Sequence, residues 1–236
     1  MLELKDICFT REDKKILDHI DLKIDDKKYI VITGPNGGGK STLAKIIMGI
    51  EKPDSGKILL NGEDITSLDI SQRANLGISF AFQQPVRFKG ITVYDLLCMS
   101  VGRKLKQPEA CHFLSAVGLC PNEYLKREVN NSLSGGELKR IEIATVIARQ
   151  ASVVIFDEPE AGIDLWSFNN LIEVFEKLYE KINSSIVIIS HQERILNIAD
   201  ELILIANGKI KESGTREEIL PKLLNNTKSC RFLKEE

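Results

Sequence analysis

The chain lacks an apolar run long enough to span a bilayer, and neither sign of charge is in large excess. Its longest apolar stretches, such as Tyr29–Thr33 and Ile186–Ile189, are as short as strands, whereas a membrane helix needs about 20 residues. A formal net charge of −2 predicts no basic face for nucleic acid. The first ten residues also lack the pattern of a signal peptide. We therefore expect a cytoplasmic protein that binds no nucleic acid and inserts into no membrane.

Paired cysteines are missing as well. The five cysteines are odd in number and scattered, with no C-x-x-C pair and no histidine at zinc-finger spacing: Cys8, Cys98, Cys111, Cys120 and Cys230. This pattern indicates neither a disulfide framework nor a structural zinc site. We expect free thiols, most of them buried.

Alternating strands and helices dominate what is present. Strands are predicted near the start and a helix from Lys40 to about Ile50; further on, two apolar strands alternate with two long helices. The strands are Leu2–Phe9, 20–24, Tyr29–Thr33, Lys57–Leu60, Ile78–Phe82, Val153–Phe156 and Ile186–Ile189, and the later helices are Glu137–Arg149 and Leu165–Ile182. The alternation predicts parallel strands covered by helices. Glu201–Ala206 and Lys209–Lys211 flank an Asn-Gly turn and predict a closing hairpin.

The middle of the chain has helical rather than strand character. Apolar residues recur at helical spacing in Val93–Met99 and Ala110–Val117, between breaks at proline and glycine. We predict one domain over 1–236, in which 1–91 and 126–236 form the core and 92–125 an inserted helical lobe.

A glycine-rich phosphate-binding motif follows the third strand. The motif G-x-x-x-x-G-K-[ST] is matched by Gly34, Pro35, Asn36, Gly37, Gly38, Gly39, Lys40, Ser41 and Thr42, between a strand and a helix as its mechanism requires. Glycines let backbone N–H groups surround an anion, and the helix N-terminus adds positive potential. Lys40 is expected to reach the outer phosphates, and the Ser41 hydroxyl to bind Mg²⁺.

Two acidic residues end the apolar strand Val153–Phe156. Asp157 is expected to hold the Mg²⁺ beside the phosphate-binding loop. Glu158, one residue further, can orient a water toward the γ-phosphorus. The alternative, that these carboxylates only end a strand before Pro159, is weakened by the presence of the glycine-rich motif.

The sequence Leu133–Glu137 stands where a second helix begins. Ser134 can be its N-cap and Glu137 the capping-box partner. A cap alone does not need Gly135 and Gly136, which allow backbone N–H groups to approach an anion. We interpret this helix end as a second phosphate contact.

Together these motifs, in this order, resemble the ABC ATPases over essentially the whole chain. The resemblance implies an α/β P-loop NTPase core with a mixed, mostly parallel sheet and an antiparallel part near the N-terminus. It implies a head-to-tail dimer, with ATP between the glycine-rich loop of one copy and Ser134, Gly135 and Gly136 of the other. It further assigns Gln83 to Mg²⁺, Asp164 to the dimer seam and His191 to the γ-phosphate. His19 and His112 match no family position and are interpreted as structural or surface residues.

Finer features are similar to SufC, the ATPase of the Suf iron–sulfur cluster assembly machinery. These are the stretches Ala81–Val86, Arg127–Asn130, Ala161–Asp164 and His191–Leu196. The similarity implies SufB- and SufD-like scaffold partners, and the alternative is the ATP-binding subunit of a membrane transporter. An aromatic residue for stacking on adenine is not evident, and either Phe9 or Arg11 could take that role.

Overall fold

The computed structural model describes residues 1–181 and 184–232. In chain order its elements are β1 (Leu2–Arg11), β2 (Lys14–Ile24), β3 (Tyr29–Thr33), α1 (Lys40–Met48), β4 (Ser55–Leu60), β5 (Glu63–Asp64), α2 (Ile70–Asn75), β6 (Ile78–Ala81), α3 (Val93–Val101), α4 (Gln107–Ala116), α5 (Pro121–Tyr124), α6 (Gly135–Arg149), β7 (Val153–Asp157), α7 (Leu165–Lys181), β8 (Ser185–Ile189), α8 (Glu193–Asn197), β9 (Glu201–Ala206), β10 (Lys209–Thr215) and α9 (Arg216–Phe232).

These elements form two compact units. Unit 1 comprises Met1–Ile70 and Val187–Glu236, and unit 2 comprises Ser71–Ile186. Among the described helices, none is both long and apolar enough to cross a membrane.

Unit 1 contains an antiparallel sheet in the order β2-β1-β4-β5. It forms because β1 and β2 place apolar side chains on one face at alternate positions, so that Leu2 pairs with Ile24 and Leu4 with Leu22, all four buried. The predicted strand Lys57–Leu60 lies in β4, which pairs with β5 in antiparallel orientation.

Unit 1 also contains the parallel pair β3 and β9, and β10 adds to β9 in antiparallel orientation. The turn between β9 and β10 has both central residues in the left-handed region, with Asn207 at φ 52° and Gly208 at φ 73°. This is the geometry that an Asn-Gly hairpin favours, and it confirms the predicted closing hairpin.

Unit 2 is built on the parallel pair β6 and β7, in which Ile78 lies opposite Val153 and Ala81 opposite Phe156. All five residues of β7 are buried, as its apolar sequence predicts. The stretch predicted to be helical contains α3, α4 and α5. The first of these begins with a capping box between Thr92 and Asp95.

The predicted fold class is confirmed, with parallel strand pairs, flanking helices and an antiparallel part near the N-terminus. Three helices, α2, α8 and α9, were not predicted. The first two have six and five residues, too short for a helical period to be recognised. The third contains Pro221, a residue that normally argues against a helix interior.

Candidate functional site

The glycine-rich loop of unit 1 connects β3 to α1 and is wrapped closely by neighbouring backbone. Gly34 has φ +135°, and a Cβ there would lie 2.0 Å from the carbonyl oxygen of Ile205. At Gly39, with φ +105°, a Cβ would lie 2.8 Å from the Ile16 oxygen. No other residue fits these two positions without displacing backbone. Gly34 and Gly39 are therefore required by close packing as well as by the anion they would surround.

Lys40 opens α1 and points back into this loop. Its side chain is 5% exposed, and Nζ donates hydrogen bonds to the carbonyl oxygens of Gly34 (2.8 Å) and Pro35 (3.0 Å). A buried ammonium that donates to neutral carbonyl oxygens can exchange them for the more strongly accepting oxygens of a phosphate. Ser41 follows on the first turn of the same helix. The loop thus fits the triphosphate of a nucleotide.

His191 lies at the same end of the unit 1 strands as the loop. The N–H of the preceding residue, Ser190, donates to the carbonyl oxygen of Ile32, two residues before Gly34. The His191 side chain itself is exposed. The β9–β10 turn also contacts the glycine-rich loop, because the Gly208 N–H donates to the Gly38 oxygen at 3.1 Å. Unit 1 thus places His191 beside β3, the strand that carries the phosphate-binding loop.

The acidic residues of unit 2 meet Gln83 at the ends of β6 and β7. Because Ala81 and Phe156 are paired, the residues that follow them emerge side by side. Asp157 is 4% exposed, and Gln83 Nε2 donates to Glu158 Oε2 at 2.6 Å. Carboxylate, amide and hydroxyl oxygens are the donors that Mg²⁺ prefers, so Asp157, Gln83 and Ser41 have the right chemistry for it.

Glu158 has a backbone conformation that is rare for its residue type, with φ +42°. Non-glycine residues in this region are strained and are over-represented at functional sites. In this conformation the Glu158 carboxylate accepts the hydrogen bond from Gln83. This is the geometry expected of a side chain that must hold one orientation.

Ser134 caps α6 as predicted. Its Oγ accepts the Glu137 N–H at 3.2 Å, while Glu137 Oε2 accepts the Ser134 N–H at 2.7 Å. Glu137 also accepts hydrogen bonds from Tyr124 and Arg127. Burial opposes ionisation of Glu137, but the hydrogen bonds from Tyr124 and Ser134 outweigh it and hold the pKa of this carboxyl below its usual range. The capping box is therefore charged and strongly anchored.

The two glycines after Ser134 have a packing role that the sequence did not indicate. A Cβ on Gly135 would lie 2.9 Å from the Gly162 oxygen, and one on Gly136 would lie 2.4 Å from Ser167 Oγ. The start of α6 thus packs directly against the start of α7. These positions exclude side chains for steric reasons, in addition to any contact with an anion.

Asp164 is the N-cap of α7. Its Oδ1 accepts the N–H groups of Trp166 and Ser167, both at 3.0 Å, and its Oδ2 accepts the Ser167 hydroxyl. Hydrogen bonds from the backbone and side chain of Ser167 lower the pKa of Asp164. Just beyond it, Leu165 and Trp166 are 71% and 80% exposed. The first turn of α7 therefore presents large apolar side chains to the surface.

Lys139 and Glu142 were missed by the sequence analysis. Lys139 Nζ donates to Glu142 Oε2 at 2.9 Å and to the carbonyl oxygen of Phe82, and Glu142 Oε1 accepts the Phe82 N–H at 3.0 Å. The Lys139 side chain is 2% exposed, and burial raises the pKa of Glu142. This clamp, Lys139–Glu142–Phe82, fixes the residue before Gln83. Two charges three residues apart on a largely buried helix were the signal that could have indicated it.

The two candidates for adenine stacking differ in exposure. Phe9 is 7% exposed and the Arg11 guanidinium lies 5.7 Å from its ring centroid. Arg11 also forms an ion pair with Glu51. An approaching base would therefore meet Arg11 first, and the stacking role of either residue stays a prediction. His19 and His112, expected to be structural or surface residues, are both exposed.

Comparisons with known proteins all point to one family. The family model described as ABC transporter matches residues 17–161. An uncharacterized ABC transporter ATP-binding protein of Methanocaldococcus jannaschii is 38% identical, over 93% of this chain and 90% of its own length. The energy-coupling factor transporter ATP-binding protein EcfA of Methanoculleus marisnigri is 32% identical, over 97% and 84%. By contrast, the chain spans only 58% of the sulfate/thiosulfate import ATP-binding protein CysA of Synechocystis, at 34% identity.

Solved structures give the same result for the fold. A nucleotide-free ATP-binding cassette from an ABC transporter superposes with a TM-score of 0.83 at 25% identity, covering 100% of this chain and 99% of that one. A dimeric cassette in a post-hydrolysis state with ADP and Pi superposes with a TM-score of 0.80, over 92% and 99%. At 21% identity, the second likeness concerns the fold alone.

Proposed function

The chain belongs to the ABC transporter family of ATPases, and on this premise we propose that it is the cytoplasmic subunit that hydrolyses ATP to drive a membrane transporter. The observation that carries the choice of partner is the full-length similarity to transporter ATP-binding proteins. A surface observation supports it. Of the seven exposed large apolar side chains among the described residues, Phe82, Val86 and Met99 lie within eighteen positions that include Gln83.

On this proposal Lys40 exchanges its carbonyl partners for oxygens of the outer phosphates. Bound Mg-ATP supplies the γ-phosphoryl group and a divalent charge that neutralises it. Asp157, Ser41 and Gln83 would hold the metal. Because the transition state is loose, the contribution of the chain is mainly position and charge.

Glu158 would orient the attacking water and accept its proton. The carboxylate now accepts a hydrogen bond from Gln83, so a change at Gln83 alters the orientation of Glu158 directly. His191, exposed next to β3, would contact the γ-phosphate. The orientation of the attacking water matters, because misplacement of a reacting group by about 1 Å costs roughly 100-fold in rate.

We also propose that hydrolysis takes place in a head-to-tail dimer of two copies. The capped N-terminus of α6, with Ser134, Gly135 and Gly136, would contact the nucleotide held by the other copy. Two features support this: the helix end carries the positive potential of unpaired N–H groups, and Leu165 and Trp166 stand exposed beside Asp164. Dimeric cassettes also occur among the proteins of the same fold.

A SufB/SufD-like scaffold is the second candidate partner. The observation in its favour is the run Arg127–Asn130, which resembles SufC. In the structure this run braces the segment that follows Gln83, because Phe88 N–H donates to the Val129 oxygen and Val93 N–H to the Arg127 oxygen. A structural brace of this kind is equally useful with either partner. The similarity to transporter ATP-binding proteins supports placing the transporter proposal first.

A capture experiment separates them. Tagged protein would be incubated separately with detergent-solubilised membranes and with the soluble fraction of the cells that produce it, with Mg-ATP present. An integral membrane partner, lost in Val86→Asp and retained in Lys15→Asp on unit 1, supports the transporter proposal. A soluble β-rich scaffold lost in the same variant would overturn it in favour of the second. Phosphate release, abolished in Lys40→Ala, checks the ATPase activity in the same preparations.

A further inference from the structure

Three potential metal ligands meet on the surface of the β1–β2 hairpin in unit 1. Asp6, Cys8 and His19 each place one ligand atom within 4.8 Å of the other two. His19 Nδ1 lies 2.5 Å from Asp6 Oδ1, and the backbone N–H of His19 donates to Cys8 Sγ at 3.3 Å. None of the three takes part in the phosphate-binding loop.

Two β-bulges bring these residues together. Between the pairs Leu4↔Leu22 and Ile7↔Ile20 the extra residue is on β1, and between Ile7↔Ile20 and Phe9↔Leu17 it is on β2. One bulge contains Asp6 and the other His19. The second bulge compensates for the first. The pair Phe9↔Leu17 is therefore in the same register as the pair Leu4↔Leu22.

The backbone at both bulges is in the left-handed region, with φ 55° at Asp6 and φ 53° at His19. A bulge redirects a side chain that regular pairing would point elsewhere. Here one bulge redirects a carboxylate and the other an imidazole, and both turn toward the cysteine between them. Two strained positions that converge on one thiol indicate a built arrangement rather than an incidental surface pair.

Charged residues of both signs surround the cluster. The Asp6 N–H donates to Asp21 Oδ1 at 2.9 Å, and Asp18 Oδ1 lies 3.7 Å from His19 Nε2. Asp18 forms ion pairs with Lys15 and Lys209. The Asp21 carboxylate adds negative charge beside the ligands, which favours a bound cation.

From this arrangement we propose that Asp6, Cys8 and His19 form a binding site for a thiophilic divalent transition metal of the Zn²⁺ type. A thiolate, an imidazole and a carboxylate suit Zn²⁺, whereas Mg²⁺ and Ca²⁺ take oxygen ligands. Three protein ligands leave a fourth tetrahedral position for water. Binding releases the thiol proton of Cys8 to solvent, so the site exchanges one proton for one metal ion.

Cobalt is a suitable probe, because a thiolate bound to Co²⁺ gives a charge-transfer band in the near ultraviolet. Metal-stripped full-length protein should bind one equivalent of Co²⁺ with this band, and Zn²⁺ should displace it while Mg²⁺ does not. Cys8→Ser should abolish the band. The matched control Cys120→Ser, an exposed cysteine of unit 2, should leave it unchanged.

Because Cys8 is buried, Cys8→Ser could also disturb folding, and variants of the two exposed ligands control for this. His19→Gln and Asp6→Asn lie at exposed positions and should each weaken Zn²⁺ binding by about 10- to 100-fold in calorimetry. Zn²⁺ should also raise the melting temperature of the wild type but not that of His19→Gln. A wild type without the band, or a band that persists in Cys8→Ser, would overturn the proposal.

Discussion

Replacing Lys139 by methionine tests the clamp that holds Phe82. Methionine is close to lysine in length and fills the same space, so the substitution removes the charge and the two hydrogen bonds with little change in packing. It leaves the Glu142 carboxylate, 15% exposed, without its cation. It also leaves the Phe82 carbonyl without the donor it now has.

The expected loss of stability follows from the burial of the Lys139–Glu142 ion pair. Breaking a buried ion pair by removing one partner costs about 3–5 kcal/mol. Because burial already raises the pKa of Glu142, the carboxyl can take up a proton, and we expect the lower end, about 3 kcal/mol. For a chain of this size that corresponds to a fall in melting temperature of about 6–12 °C.

The assay is urea unfolding of the wild type, Lys139→Met and the double variant Lys139→Met/Glu142→Leu. The double variant should recover most of the loss, since an apolar pair of similar volume avoids the burial of a lone charge. Lys177→Met is the matched control, because its partner Glu173 lies 3.8 Å away and both side chains are at least 60% exposed. Lys177→Met should lower the free energy of unfolding by less than about 0.5 kcal/mol.

The pH dependence gives a second signature. In Lys139→Met the folded-state pKa of Glu142 lies above its unfolded value, so the native state binds more protons and its stability falls as pH rises through that range. The difference in unfolding free energy between Lys139→Met and the wild type should therefore become smaller as the pH is lowered. An unfolding free energy for Lys139→Met within about 0.5 kcal/mol of the wild type would refute the reasoning.

Two further predictions concern other parts of unit 2. Trp166 is the single tryptophan of the chain and is 80% exposed. If a second copy covers the Asp164 loop, Mg-ATP should shift the tryptophan emission of Glu158→Gln to shorter wavelength. The emission of Lys40→Ala should stay unchanged. Unchanged emission in a Glu158→Gln sample that gel filtration shows to be dimeric would place the dimer contact elsewhere. Hydrogen bonds from Arg103 and the Lys106 backbone lower the pKa of Glu109 from 4.5 to about 2, so its stabilisation is present above pH 4.5 and is lost as pH falls toward 2. The melting-temperature gap between wild type and Glu109→Gln should narrow accordingly, and a gap as large at about pH 3 as at about pH 6 would contradict this.

Sequence reasoning correctly predicted local geometry that depends on neighbouring residues. The phosphate-binding loop and the Ser134–Glu137 capping box are contiguous stretches whose spacing carries their geometry. It could not give contacts that depend on how distant strands pair. The Gln83–Glu158 hydrogen bond follows from the register of β6 on β7, and a one-residue slip would remove it.

The Asp6–Cys8–His19 cluster was missed for a related reason. Cysteine spacing along the chain predicted no metal site, because the ligands come from opposite strands. Their meeting depends on two compensating bulges, and bulges have no reliable signature in a single sequence when the left-handed residue is aspartate or histidine instead of glycine. The prediction of SufB- and SufD-like partners is of another kind. It concerns an interaction with a second protein, which neither the sequence nor the fold of this chain specifies alone.

Helix α6 has a mechanical consequence that follows from its two attachments. Its N-terminus is the Ser134 cap, and the clamp to Phe82 lies within the next eight residues, a span of about 12 Å along the axis. An α-helix is stiff over that length, so α6 links the segment before Gln83 to the Ser134 cap as one rigid body. A displacement of the Phe82 backbone should therefore reach Ser134 instead of being absorbed between them.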